Sequence, residues 1–527
     1  MPLAWPNSST SALVTRREAC VVLSDAICVR PRVMSALRKR LDQTAATWQD
    51  AISVNCLRMD AMSDTLVQKL ADWALECEHG PDRAEALALI KNSVLDSIGC
   101  AYIARDEECT HGVQSVMKAS GGSPQATLIG SGGLRLPLSA AAFVNGTLIR
   151  ALDMNDHLAM DPNDNAKLGG HPSDNLAALL AIADHRGASG AAFLDAALLS
   201  YEMFGRIYRF LTPELPWDHT TAFGFSIPAA AARMLGLSRE VAANAIALGG
   251  AQSITLGCVR RGQLSHAKFL GSSLVAQEAV QSLLLAEAGV TGPLTLFEDS
   301  RGFNVGVFRR SDGLEFLTAP ARTRHMIDGV TIKGFPGLDT TQAAEEAAIM
   351  AARRASKDGR IRGRDIASLD VVMNDHPMTK TQAADAERRR PATRETADHS
   401  YYYLIAIALL DGEVTPRQFL NDRWHDPEVV DLMRRMTITS DTSWKNRAPG
   451  GFPCAIRLKL NDGSVIETEV GYATGHARNK MGRDAVMDKF HRSVAGKVPS
   501  NRAEDIIQAV DQLDAATSVA ELTRLLT

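Results

Sequence analysis

The spacing of apolar residues along the first half of the chain follows the period of an α-helix. One apolar stripe runs from Leu66 to Cys77 and another from Leu87 to Ile98, and residues three to four positions apart share one face of a helix. Other stretches are so rich in alanine that we expect burial on several sides. Those stretches span residues 137–151, 173–186, 190–206, 226–250 and 272–288. The pattern predicts a large helical domain.

The pattern changes after residue 325, where the alternation typical of β-strands begins. Strands are predicted at 327–333, 366–373 and 454–470. The last segment contains two alternating runs around Asn461-Asp462-Gly463, which is a strong hairpin signal. Helical stretches lie between and after the strands, at 341–356, 397–411 and 482–526.

These changes divide the chain into parts, and the fold class that they predict is mainly α. Helical segments are expected at 62–325 and 473–527. A smaller α+β domain, at 326–472, is inserted between these two segments. Residues 1–61 form an extension ahead of the first domain.

The extension differs from the rest of the chain in its charge. Between Met1 and Arg40 there are seven Lys and Arg residues against two acids, a composition typical of a cleaved transit segment. The interpretation that we favour is a disordered extension, or a true start near Met62. The transit segment stays open as the alternative. There is no clean apolar core of a secretion signal.

Composition and charge exclude several classes of function. The formal net charge of −4 on 527 residues gives no electrostatic reason to expect a nucleic-acid or anionic-membrane partner. No run approaches the roughly 18 apolar residues that a membrane span needs. The eight cysteines are scattered without a C-x-x-C pair, which favours a reducing compartment over a disulfide framework or zinc site. We therefore expect a cytoplasmic protein, or a mitochondrial matrix protein if residues 1–60 are a transit segment.

The segment from Arg150 to Asn175 carries the densest set of reactive side chains. If the preceding helix continues through it, Asp153 and His157 stand four residues apart and share a face. Ser173 is a suitable N-cap for the next helix, whose free N–H groups beside His171 would suit a substrate carboxylate. A turn-rich connection with capping or solvated histidines explains the same residues, and the segment alone does not decide between the two.

Other candidate residues lie far away in sequence, and each has an ordinary structural explanation. They are His219, Lys268, Lys333 and Tyr403. The chain contains no G-x-G-x-x-G after a strand, no Walker loop and no G-x-S-x-G elbow. The thirteen residues between His157 and His171 are not a recognised zinc spacing, so no metal is expected.

Taken together and in order, these segments resemble the 2-methylcitrate dehydratase family (MmgE/PrpD) from about residue 62 to the end. The resemblance implies one large all-helical domain built from both chain ends, at 62–325 and 473–527, with the α+β domain as its lid. It also implies that the protein is a homodimer and that it uses no metal or organic cofactor. The matching landmarks are Asn145-Gly146, Asp153-x-Asn-Asp156, His171-Pro-Ser-Asp-Asn-Leu176, His219, Lys268, Lys333-x-Phe-Pro336, His399-Ser-x-x-Tyr403 with Leu409-Leu-Asp-Gly412, and Gly475-His-Ala-Arg478.

The substrates of this family are small polycarboxylates, and its reactions make or quench a carbanion beside a carboxylate or an alkene. Such a site needs cations that hold carboxylates, a positioned base and a proton donor. The base is Asp153 or a histidine that it orients, and a histidine or Tyr403 assists departure of the hydroxyl. The catalytic candidates are Asp153, His157, His171, His219 and Tyr403, and the substrate-binding candidates are Arg150, Lys268, Lys333 and Arg478.

Within the family, the residues of these motifs most resemble those of 2-methylcitrate dehydratases. The implied function is a carbon–oxygen hydro-lyase of the methylcitrate cycle of propionate catabolism. The alternatives are cis-aconitate decarboxylase, iminodisuccinate epimerase or another family lyase, and a catalytically inactive member that acts as a binding protein. His157 stands where family members usually carry threonine, and a longer polar loop runs from it to Gly170. These departures leave the exact substrate open.

Overall fold

The computed structural model describes residues 64–527, apart from residues 81, 212, 213, 311 and 321. The predictions for residues 1–61, including the transit segment, lie outside the described residues. Helix α1 begins with a capping box, in which the Thr65 hydroxyl accepts from the Gln68 amide and the Gln68 side chain accepts from the Thr65 amide. The helices of the first part are α1 Leu66–Glu76, α2 Arg83–Ile103, α3 Glu108–Ser120, α4 Leu138–Arg150, α5 Asp174–Arg186, α6 Gly190–Tyr208, α7 Phe223–Leu235, α8 Arg239–Gln252 and α9 Ala267–Glu287.

These helices confirm the helical period read from the sequence, with one difference in connectivity. The single helix predicted at 226–250 is two helices, α7 and α8. Gly236 ends α7 in the left-handed region with φ of 61°, and the Ser238 hydroxyl caps α8 by accepting from the Val241 amide. A glycine and a serine two residues apart therefore break a continuous apolar pattern.

The second part mixes helices with a sheet before helices return. Its longer helices are α10 Gln342–Ala355, α14 Tyr401–Asp411 and α15 Pro427–Arg435, and the chain closes with α17 Arg483–Val494 and α18 Ser500–Asp511. Shorter helices are α11 Pro377–Ala384, α12 Ala386–Arg389, α13 Arg394–Ala397, α16 Trp444–Arg447 and α19 Ala520–Thr523. The strands of the whole chain are β1 Ala126–Thr127, β2 Arg135–Leu136, β3 His157–Leu158, β4 Val330–Thr331, β5 Ile366–Asn374, β6 Met436–Asp441, β7 Cys454–Leu460 and β8 Val465–Val470.

The main sheet has the strand order β6-β5-β7-β8. Strands β7 and β8 form the predicted antiparallel hairpin, and Gly463 takes φ of 89° in its turn. Strand β6, which pairs in parallel with β5, was not predicted. The strand predicted at 327–333 is mostly wrong, because Met326–Gly329 is a 3₁₀ turn and only β4 is extended. Strand β4 pairs with β3 and so places His157 opposite Thr331.

Buried apolar side chains form two main clusters within one compact unit at residues 65–527. The first cluster combines residues between 67 and 332 with the C-terminal helices from Val486 onward. The second lies between Ala343 and Ala473. The mainly helical class is confirmed. The division into a helical domain and an inserted lid domain stays a prediction, because the described chain is a single unit by its contacts.

Two helical segments, Arg83–Asp106 and Ala267–Glu287, are long and apolar enough by composition to cross a membrane. Most of each segment is buried inside the protein, where α2 packs on α17 and α9 packs on α4 and α8. A helix that is apolar on several sides is expected at such a core position. The same composition is therefore accounted for by packing.

Candidate active site

Asp153 lies in a turn directly after α4, with its backbone in the left-handed region at φ of 48°. Helix α4 ends at Arg150, and the Asp153 amide donates to the Arg150 carbonyl at 3.0 Å. The conditional expectation that Asp153 and His157 share a helix face is therefore wrong, since neither residue lies in a helix. The left-handed conformation is unfavourable for a residue with a Cβ atom, so the surrounding contacts must hold it.

Close packing of α4 against α9 brings the two ends of the site together. A Cβ atom on Gly146 would lie 3.0 Å from Cβ of Ser273, so glycine permits this approach. The hydroxyls of Thr147 and Ser273 are 3.0 Å apart at the same crossing. As a result, Arg150 at the end of α4 and Lys268 at the start of α9 reach the same carboxylate.

Three cationic side chains converge on the carboxylate of Asp153. Nη1 of Arg150 lies 2.5 Å and Nζ of Lys333 lies 2.7 Å from Oδ1. Nζ of Lys268 lies 2.9 Å from Oδ2. Lys333 also donates to the backbone carbonyl of Asp153, and to that of Gly337 at 3.0 Å. All four charged side chains are buried, so their charges interact with little screening by water.

These contacts fix the ionisation of the group at the centre. Burial alone would raise the pKa of Asp153, but Arg150, Lys268 and Lys333 hold it well below its ordinary value. Burial lowers the pKa of Lys268 to about 8, against the opposing effect of Asp153 and Asp398. Asp153 is therefore ionised at neutral pH and is a weak base.

His171 lies beside this carboxylate, with Nε2 at 3.5 Å from Oδ1 of Asp153. Its Nδ1 is 2.5 Å from the backbone carbonyl of Asp156, and since a carbonyl only accepts, Nδ1 carries a proton. Burial, and next the charge of Arg150, lower the pKa of His171 well below its ordinary value. The imidazole is thus neutral, and its Nε2 lone pair is available as a base.

The hydrogen-bonding groups of the turn before α5 find their partners within the protein. Oδ1 of Asp156 accepts from the Ser173 amide at 3.0 Å, and Oδ2 accepts from the Tyr201 hydroxyl at 2.7 Å. The Ser173 hydroxyl accepts from Asn155 and makes no capping hydrogen bond. The next amides donate to carbonyls of the same turn. The expectation of free N–H groups for a substrate carboxylate is therefore wrong.

His219 lies on the far side of His171 and has a different set of partners. Its Nδ1 is 3.4 Å from Oδ1 of Asp218, and its Nε2 is 3.4 Å from Nη2 of Arg260. Burial is the largest effect on its pKa, which falls to about 3. Arg260 also forms a bidentate ion pair with Asp218, and sequence reasoning did not identify either residue.

Three imidazole rings form a row along the site. Ring centroids are 5.4 Å apart for His157 and His171, and 5.7 Å apart for His171 and His219. Nδ1 of His157 lies 3.2 Å from Oδ2 of Asp339. The structure thus brings together all three histidines that the sequence singled out.

His399 completes the set of side chains around Asp153, although the sequence analysis singled out Tyr403 of the same motif instead. Nε2 of His399 lies 3.1 Å from Oδ2 of Asp153, and its Nδ1 contacts Asp398 and lies 2.9 Å from Nζ of Lys268. We call Asp153 and its five partners the Asp153 cluster; those partners are Arg150, His171, Lys268, Lys333 and His399.

The structure does not place Tyr403 or Arg478 among the partners of Asp153. The Tyr403 hydroxyl donates to the backbone carbonyl of Gln418, and its ring packs against Phe419 and Trp424. Burial raises the pKa of Tyr403. Arg478 is exposed and donates to the side chain of Asn165 at 2.7 Å. Tyr403 therefore belongs to the second apolar cluster. Arg478 binds the polar loop that follows His157.

Asp156 belongs to the same acidic and histidine-containing segment as Asp153, His157 and His171. Both carboxylate oxygens of Asp156 already accept hydrogen bonds from the protein. Over the part of the chain that the structure describes, no group of three or more His, Cys, Asp or Glu side chains is arranged to hold a metal ion.

Comparison with known proteins gives a consistent family. The MmgE/PrpD N-terminal domain matches residues 68–313, and the MmgE/PrpD C-terminal domain matches residues 340–515. The chain is 27% identical to a mitochondrial 2-methylcitrate dehydratase of Yarrowia lipolytica, over 85% of this chain and 88% of the relative. It is 25% identical to cis-aconitate decarboxylase of Mus musculus (83% and 88%) and 26% identical to 2-methylcitrate dehydratase of Escherichia coli (79% and 87%). The chain therefore belongs to the MmgE/PrpD family.

Proposed function

We propose that this protein is a lyase of small polycarboxylates that dehydrates 2-methylcitrate to 2-methylaconitate by β-elimination. The observation that carries the proposal is the Asp153 cluster, in which one ionised carboxylate gathers three buried cations beside a neutral histidine. The homology to both 2-methylcitrate dehydratases and a cis-aconitate decarboxylase supports the lyase class. The identity of the substrate is the finer part of the proposal.

The cations supply the carboxylate recognition. Arg150, Lys268 and Lys333 outnumber the ionised carboxylates of Asp153 and Asp398 that they contact, so the site retains positive charge for an anionic substrate. Among the described residues, the buried Nη2 of Arg150 has no hydrogen-bond partner. A buried donor without a partner is costly, and a substrate carboxylate would satisfy it.

The base in this proposal is His171 and not Asp153. Three cations engage the Asp153 carboxylate and leave it little tendency to take a proton, whereas Nε2 of the neutral His171 carries a free lone pair. His171 removes the proton from the carbon next to a carboxylate, and the charge that develops there is stabilised by Lys268 and Lys333. Asp153 holds these cations in position.

Access to the cluster requires movement of the protein. The members of the cluster are buried, except for the partly buried His399. They come from both parts of the chain: Lys268 from α9, Lys333 from the segment after β4, and His399 from the segment before α14. We propose that the segment 326–472 is the lid and that its closure completes the site and excludes water. The homodimer, the independence from cofactors and the choice between cytoplasm and mitochondrial matrix also remain proposals.

The test is incubation of the purified protein with 2-methylcitrate, citrate or cis-aconitate, followed by proton NMR. New alkene signals from 2-methylcitrate support dehydration. Loss of carbon dioxide from cis-aconitate without reaction of 2-methylcitrate identifies the decarboxylase, the second candidate that the mouse relative favours. No turnover of any of the three would contradict the lyase proposal and point to a binding protein.

A matched pair of variants links the activity to the cluster. Lys268→Met removes a buried cation that contacts Asp153, and we expect it to abolish measurable turnover. Lys459→Met makes the same chemical change at an exposed position of β7 and should leave turnover unchanged.

A further inference from the structure

His157 is the member of the histidine row that lies outside the Asp153 cluster. Strand β3 holds it, with its backbone paired to Thr331 on β4. Its side chain is 18% exposed, more than that of any other histidine in the row. It is therefore fixed in position by the strand and only partly buried.

The partner of His157 is a carboxylate from a distant part of the chain. Asp339 begins the 3₁₀ turn Asp339–Thr341 ahead of α10, and its side chain is only 8% exposed. Burial would raise the pKa of Asp339, but the His157 imidazole, followed by His476 and Lys333, lowers it below the ordinary value. A carboxylate 3.2 Å from Nδ1 attracts a proton to that nitrogen and favours a positive charge on the ring.

A dehydration needs a proton donor as well as a base, because the hydroxyl is a poor leaving group unless it leaves as water. The other nearby histidines are poor donors: burial lowers the pKa of His219 to about 3, and it lowers the pKa of His171 and of His399 as well. The Tyr403 hydroxyl is engaged with a backbone carbonyl in the second apolar cluster. A different side chain therefore has to donate the proton to the departing hydroxyl.

We propose that His157 and Asp339 form a carboxylate–imidazole pair that protonates the departing hydroxyl, with Asp339 as the positioning residue; this inference rests on the proposed function. His171 Nε2 takes the proton from carbon, the carbon–oxygen bond breaks, and the proton on His157 Nε2 converts the hydroxyl to water. His157 ends neutral and His171 ends protonated, and exchange with solvent restores both. The ring separation of 5.4 Å suits a base and an acid that act on adjacent carbons.

The charged and titratable groups around His157 set the expected pH dependence. They are Asp339 across the site, His171 and His219 in the row, and His476 after β8. Asp339 is the anion among these four groups. Its neutralisation should therefore lower the pH at which His157 loses its proton.

The first experiment measures kcat at saturating substrate against pH for Asp339→Asn, an isosteric change. Because the acid must be protonated, kcat falls as pH rises through its pKa, and this alkaline limb should move down by about one pH unit in the variant. His157→Gln should lose about 100-fold in kcat with little change in KM. The control Glu504→Gln neutralises the partner of His491, an exposed pair 3.4 Å apart, and should leave the profile unchanged. A profile of Asp339→Asn that superimposes on the unmodified protein overturns the proposal.

The double variant separates a catalytic pair from a structural contact. If Asp339 acts only through His157, then His157→Gln with Asp339→Asn is no slower than His157→Gln alone. Additive losses in kcat would contradict the pairing.

A titration that needs no turnover distinguishes failure of the pair from failure of the proposed function. In protein labelled at histidine, the His157 NMR signal is identified by its loss in His157→Gln. Its midpoint should fall by about one pH unit in Asp339→Asn, even if 2-methylcitrate is not the substrate. An unmoved midpoint overturns the inference whatever the substrate.

Discussion

Nζ of Lys489 lies 2.5 Å from Oδ1 of Asp96, and both side chains are buried. The pair joins α17, near the end of the chain, to α2. Lys489 also donates to the backbone carbonyl of Met154 at 3.0 Å, one residue after Asp153. The C-terminal helices therefore support the strained turn at the centre of the site.

Loss of this pair should cost far more stability than loss of an exposed one. In Lys489→Met, Asp96 becomes a buried charge without a partner, and we expect a loss of about 3–5 kcal/mol in the free energy of unfolding. The exposed pair Lys497 and Asp106 is the control, and Lys497→Met should cost under about 1 kcal/mol. Urea denaturation followed by circular dichroism measures both. Equal costs for the two variants would show that Lys489 does not anchor the turn.

Lys268 should give the KM of the enzyme a pH dependence of its own. Its pKa is lowered by burial to about 8, so the free enzyme loses this cation as pH rises through that value, and KM should increase about tenfold per pH unit above it. Arginine stays protonated throughout, so Lys268→Arg should remove this rise even if its kcat is lower. Initial rates between pH 6 and 10 measure the effect. A KM that rises identically in both proteins would assign the titration to another group.

Asp174 should make the folded state less stable as pH rises from 4 to 7. Burial is the largest effect on its pKa, which rises to about 7, although Nε of Arg150 lies 3.7 Å away. Between pH 4 and 7 Asp174 is ionised in the unfolded chain but not in the folded protein. The free energy of unfolding therefore decreases with each unit by which the pH rises.

The variant Asp174→Asn removes this titration while it can still accept the hydrogen bond from Asn155. The free energy of unfolding of the variant, relative to that of the unmodified protein, should increase steadily from pH 4 to 7, by at most on the order of 4 kcal/mol. Denaturation midpoints at each pH unit provide the comparison. A difference that stays constant with pH would mean that Asp174 is ionised in the folded protein.

Much of the fold was predictable because the helical period is a local property. Helices α4, α5, α6 and α9 follow it closely, and the Asn-Asp-Gly hairpin is a turn signal of three residues. The turn after α4 was not predictable, since the residues from Ala151 to Asp161 include no glycine or proline that would end a helix. Strands β3 and β4 are two residues long, too short to produce an alternation, and their pairing depends on tertiary contact.

The candidate site was predictable in its residue types but not in its partners. Asp153, His171, Lys268 and Lys333 do meet, as the resemblance implied. No local pattern shows that Asp339 faces His157, because 181 positions of chain separate them. Which side chains converge is decided by packing of distant elements, such as the approach of α4 to α9 at Gly146.

The position of His399 relative to Tyr403 shows the same limit and leads to the last prediction. Ser400 is the N-cap of α14 and its hydroxyl accepts from the Tyr403 amide at 3.0 Å, so Tyr403 lies on the helix while His399 lies before it. The helix directs Tyr403 into the second apolar cluster, and His399 turns toward Asp153 at 3.1 Å. His399 and Tyr403 belong to one sequence motif, but their side chains have different surroundings.

Two conservative substitutions should therefore have opposite effects on activity and stability. His399→Gln should lower kcat by about 10–100-fold because it removes a group that touches both Asp153 and Lys268, with little change in unfolding. Tyr403→Phe should keep kcat but lose about 1–2 kcal/mol of stability, since the Gln418 carbonyl loses its buried donor. Steady-state rates and thermal unfolding on the same preparations measure the two effects. If Tyr403→Phe abolishes turnover and His399→Gln does not, the proton chemistry belongs to the tyrosine, and the lid must close in a way that brings its hydroxyl to the site.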